Sequence, residues 1–144
     1  MDILTLTPFT IDLEHLHARL RVRPGSRQEQ ELHELTALAN AAGRPKAAYV
    51  EQFIEDRQGD TLTIGGERFS SRQMRLNLEP VDKVFAYVVT AGVELDQALD
   101  EKDMLRDFYW DAIKEEILGS AIHLFDDTLR RRHGMPKTAT MNPG

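Results

Sequence analysis

Carboxylates, histidines and one tight turn are the groups in this sequence whose types and spacing could do chemistry. General acid and base work needs paired carboxylates whose pKa values burial has driven apart, and Glu115-Glu116 and Asp126-Asp127 supply such pairs. The spacing puts Glu115, Asp126 and Asp127 on a solvated helix face. Glu116 falls beside an apolar stripe one turn before Ser120, where a buried carboxylate needs a partner or a raised pKa. His15 and His17 form an H-x-H pair, but residues two apart on a helix point to different sides, which suits chelation poorly. His33 and His133 have no carboxylate or second histidine four residues on, and His123 has only Asp127 there, so solvent-facing or capping places are expected and no metal site. The best candidate for holding a ligand is Thr90-Ala91-Gly92 with Glu94, where a strand running into a helix N-terminus offers backbone donors to a polar group. There is no G-x-G-x-x-G, no P-loop and no G-x-S-x-G, and no catalytic residue is assigned.

Composition narrows the chemistry further. Without cysteine there is no disulfide, thiolate metal site or cysteine nucleophile, which fits a reducing cytoplasm. A net charge of −6 repels a phosphate backbone, so nucleic acid is not an expected partner. The one basic cluster, Arg130-Arg131-Arg132-His133, closes a helix, where cations complement the negative end of the dipole; the other reading is a patch for an anion or acidic partner. Residues 1–10 lack the features of a secretory signal, and no apolar run approaches the roughly 20 residues of a membrane span. A cytoplasmic protein without membrane contact is expected. At 144 residues and 41% hydrophobic content the chain reads as a single domain with a core of its own.

The elements that must position these groups follow from periodicity. Residues 3–7 alternate like a short strand that Pro8 ends or confines to an edge. Asp12 caps a short helix carrying Leu13, Leu16 and Leu20, and Ser26, with Glu29 three residues on, opens a second one that Gly43 stops. Residues 47–55 and 61–64 form an antiparallel hairpin about Gly59. After the Gly65-Gly66 turn, Phe69 packs inward and Ser70 or Ser71 caps a short helix to Leu78. The run from Val84 to Val89 suits a central strand covered on both faces, followed by a short helix over residues 93–99. Residues 103–132 make a helix of about eight turns, with Leu105, Tyr109, Ala112, Ile113, Ile117, Ala121, Leu124, Phe125, Thr128 and Leu129 on one face. Met104, Phe108, Leu118 and Ile122 widen that face. The predicted class is α+β: a mixed or antiparallel sheet with helices packed on it and a long C-terminal amphipathic helix whose apolar face shares one core with the Val84 strand.

Three segments together carry a resemblance. Phe85-Ala86-Tyr87-Val88-Val89-Thr90-Ala91-Gly92-Val93-Glu94-Leu95, then Tyr109-Trp110-Asp111-Ala112-Ile113, and the closing Met141-Asn142-Pro143-Gly144 resemble the activation-domain family of cobalamin-dependent methionine synthase, in particular its short free-standing relatives. The likeness covers most of the chain in order of elements. It implies an accessory module that supports corrinoid-dependent methyl transfer or corrinoid reactivation, with S-adenosylmethionine as ligand, or a corrinoid carried by a partner. The implied partner is a corrinoid protein or a methyltransferase. The resemblance also implies a ligand cleft lined by the turn with Thr90, Gly92 and Glu94 and by a tail with Thr140, Pro143 and Gly144. The family pattern Arg-x-x-x-Gly-Tyr, whose Arg gives a charged fork to the ligand carboxylate, is altered here: Thr140 stands at the Arg position, and Gly144 is the last residue. That ending suggests a piece of a longer protein. The alternative implied by Thr140 is a non-catalytic interaction subunit that kept the fold and lost the ligand.

Overall fold

A computed structural model describes residues 1–99 and 103–141, and the chain is α+β with an antiparallel sheet and a long C-terminal helix. In order it forms β1 (Asp2–Thr5), α1 (Leu13–Leu20), α2 (Arg27–Ala42), β2 (Lys46–Gln58), β3 (Thr61–Ile64), β4 (Glu67–Ser70), α3 (Arg72–Asn77), β5 (Lys83–Thr90), α4 (Glu94–Ala98) and α5 (Met104–His133). The sheet order is β1-β2-β3-β4, with β5 paired to β2. Two compact units result, one built chiefly of Ala48–Val88, the other of Ile3–Ala47 and Val89–Thr138.

In the sheet unit, Gln58 pairs with Thr61 and Arg57 with Leu62 across a turn that Gly59 makes at φ +57°, as the hairpin signal predicts. A register shift between Ile54 and Asp56 marks a bulge. The segment after Gly65-Gly66, to which periodicity assigns no element, is a strand: Phe69 of β4 pairs with Leu62 of β3. Only four residues long and polar at three of them, β4 lacks the apolar alternation by which a strand is read, and pairing with β3 supplies what its sequence does not. Leu62, Ile64 and Met74 form a buried cluster here, with Ile54, Phe69, Leu78 and Val84 packed on it. Ser71 caps α3, its hydroxyl accepting the Met74 N–H at 3.2 Å.

The helical unit has its own cluster. Leu16 of α1, Leu32, Leu35 and Ala39 of α2, Leu95 of α4 and Tyr109, Trp110, Ala112, Ile113 and Ile117 of α5 are buried together. Asp12, Ser26 and Asp103 cap α1, α2 and α5 through side-chain oxygens, and Gly134 ends α5 at φ +62°. Trp110 is anchored by its indole N–H, which donates to the Leu95 carbonyl at 3.0 Å.

Two expectations fail on burial. β5 is not covered on both faces: Val88 is 69% exposed and Tyr87 also meets solvent, while Val84 packs in the sheet cluster. An apolar run alone does not distinguish a sandwiched strand from one with a free face. The proposed widening of the α5 face likewise fails at Met104, 90% exposed, Phe108, 61% exposed, and Ile122, and holds only at half-buried Leu118; Leu105 of the main stripe is exposed as well. The seam is narrow because α1, α2 and α4 contact one stripe of the helix, and residues a quarter-turn away have no neighbour that buries them among the described residues.

Candidate functional site

The turn at residues 90–94 is held by short-range bonds. Thr90 ends β5, and its Oγ1 accepts the Gly92 N–H at 3.1 Å. Gly92 has φ +101°, and a Cβ placed there would lie 2.5 Å from Glu94 Oε2 and 2.7 Å from the Arg44 carbonyl oxygen, so only glycine fits. Glu94 opens α4, with one oxygen 3.4 Å from Lys46 Nζ and the other covered against Gly92 without a hydrogen-bond partner among the described residues. The backbone N–H of Glu94 itself holds its carboxyl below the ordinary range; partial desolvation opposes this, and the charges of Lys46 and Arg44 assist. Thr90, Gly92 and Glu94 are thus brought together, joined by Arg44 and by Lys46 at the start of β2, which lies 48 positions from Glu94 and which no local pattern links to the turn. Thr140 is exposed, in a segment without regular structure, and belongs to the sheet unit. Pro143 and Gly144 lie outside the described residues.

The α5 carboxylates do not make an acid and base pair. Glu116, with its side chain only 15% exposed, finds the partner its position demands in His15 Nδ1. Glu115 pairs with Arg19, and Ser120 Oγ accepts the Thr10 N–H at 2.9 Å, so these groups tie α1 and the segment before it to α5. Asp126 accepts the Thr138 hydroxyl and stands 3.5 Å from Arg130. Glu115 and Asp126 are separated by about 16 Å of helix rise, too far to share a substrate bond.

His15 and His17 diverge, as their spacing predicts: His15 faces α5 and His17 faces α2. The His17 and His33 Nε2 atoms are 3.0 Å apart, and His17 Nδ1 lies 3.8 Å from Glu29 Oε2. Glu29 is four residues before His33 on α2. A search for partners only toward the C-terminus of each histidine misses this Glu-x-x-x-His spacing, the one local signal that could have found the cluster.

No protein-family model matches the chain, and no curated protein matches it.

Proposed function

We propose that this protein is an accessory module of corrinoid-dependent methyl transfer or corrinoid reactivation, working beside a corrinoid protein or methyltransferase and holding S-adenosylmethionine at the turn of residues 90–94. The observation that supports this reading is the Lys46 and Glu94 pair at that turn: an ammonium and a carboxylate 3.4 Å apart, the carboxyl held below its ordinary range, each with a third or more of its side chain in solvent. An amino-acid head group carries the complementary charges, its carboxylate for Lys46 and its ammonium for Glu94. Lys46 thereby offers a cation for the ligand carboxylate where Thr140 replaces the family's Arg. Calorimetric titration of S-adenosylmethionine should show saturable binding that Lys46→Met weakens about tenfold, the effect of about 1.4 kcal/mol. Absence of binding, or binding indifferent to Lys46→Met, removes the reading.

Thr140 favours a second reading, an interaction subunit that kept the fold without the ligand. Thr140→Arg in a chain continued past Gly144 with the Tyr of the family pattern should strengthen S-adenosylmethionine binding under the first reading and leave it absent under the second.

A further inference from the structure

The geometry points to a transition-metal site between α1 and α2, formed by His17, Glu29 and His33. The inference is independent of the corrinoid reading. One ligand atom from each of the three residues lies within 4.8 Å of the others. The two rings are close to coplanar, with planes 14° apart, and their centroids are 5.2 Å apart, nearly the 3.0 Å nitrogen gap plus the two ring radii. They therefore meet edge to edge with both Nε2 atoms aimed at one point, rather than face to face. Two lone pairs cannot share such a point: either one ring donates a proton to the other or a cation stands beside both. With each nitrogen at a zinc bond length of about 2.0–2.1 Å, a 3.0 Å gap corresponds to a nitrogen–metal–nitrogen angle of about 94°, between right-angled and tetrahedral coordination. The lone pairs lie along the line between the nitrogens, so each ring must turn by about 40° for both to meet the ion.

Glu29 contributes the charge that makes the site selective for cations. Its Oε1 accepts the Gly25 N–H at 3.1 Å, which fixes the carboxylate and leaves Oε2 toward His17. The helical scaffold is set before the metal arrives: Ser26 caps α2, its hydroxyl accepting the Glu29 N–H at 3.2 Å, and Leu16 and Leu32, each next to a site histidine in sequence, are fully buried. His33 is exposed on a groove of about 550 Å³ whose rim also carries Gln30 and Glu34, so coordination positions stay open to water or to an oxygen ligand. Three protein ligands with an open position is the pattern of zinc sites that bind or activate a further group, and borderline N and O donors suit Zn²⁺, Co²⁺ or Ni²⁺ over Mg²⁺ or Ca²⁺.

Zinc chloride titrated calorimetrically into the metal-free full chain should show a single site in the micromolar range, with Mg²⁺ silent at the same concentrations. His33→Gln, at an exposed position, should keep the circular dichroism spectrum and weaken Zn²⁺ binding at least tenfold. Glu29→Gln should weaken it by a comparable factor, and His123→Gln on α5 should not. Co²⁺ should give visible d–d absorption with the parent chain that His33→Gln abolishes. No zinc heat, or a His33→Gln chain that binds Zn²⁺ and colours with Co²⁺ like the parent, overturns the site.

Discussion

Replacing Gly92 by alanine tests whether the 90–94 turn is as tightly built as its geometry states. At φ +101° an L-residue is strained by about 1–3 kcal/mol. The new methyl would also lie 2.7 Å from the Arg44 carbonyl and 2.5 Å from Glu94 Oε2; the second contact can yield by a side-chain rotation, the first only by moving backbone. Overpacking of that kind costs about 1–3 kcal/mol more. The sum, about 2–6 kcal/mol, is a large share of the roughly 5–15 kcal/mol that stabilises an ordinary domain. Urea unfolding followed by Trp110 fluorescence measures it directly, since Trp110 is the sole tryptophan and is buried in the same helical unit. Two glycines of that unit separate the contributions. Gly134→Ala, at φ +62° with open space around the added carbon, should lose about 1–2 kcal/mol from strain alone. Gly119→Ala, within α5 and also in open space, should gain about 0.5–1 kcal/mol. If Gly92→Ala unfolds at the same urea concentration as Gly134→Ala, the close approach to Arg44 contributes nothing and the account of the turn is wrong.

Trp110→Phe removes the donor to the Leu95 carbonyl and should cost about 1–3 kcal/mol, read as a lower midpoint by circular dichroism; an unchanged midpoint would show that bond to be idle. Glu94 has a lowered folded-state pKa, so its contribution is present above the unfolded carboxyl range and fades as pH falls through the folded value. The stability gap between the parent and Glu94→Gln should therefore shrink in acid and hold steady near neutrality. Tyr109 and Lys114 have raised pKa values, the phenol from burial and then the Glu31 charge, the ammonium chiefly from its hydrogen bond to Asp96. Both contributions are complete below the ordinary phenol and lysine ranges and are lost as alkali titrates the folded groups, so unfolding midpoints should fall there. Asp96→Asn should remove the lysine part of that fall, and a phenolate absorbance titration should show Tyr109 ionising above the ordinary phenol range.

Much of the fold is legible along the chain because its determinants are local. Asp12, Ser26 and Asp103 bond to N–H groups three residues away, Gly59 turns its hairpin within a few residues, and the stripe from Tyr109 to Leu129 repeats at helical spacing. The close grouping of Thr90, Gly92 and Glu94 follows likewise from their short separation in the chain. What tertiary structure alone decided is which surfaces acquired neighbours: Val88, Met104 and Phe108 are as apolar as the core, yet more than half of each meets solvent among the described residues. It also decided the partners of charged groups, for Lys46 reaches Glu94, His15 reaches Glu116 and His17 reaches His33 only after distant segments fold together. Periodicity fixes the direction in which a side chain leaves its own helix or strand, whereas what it meets depends on contacts whose sequence separation carries no pattern.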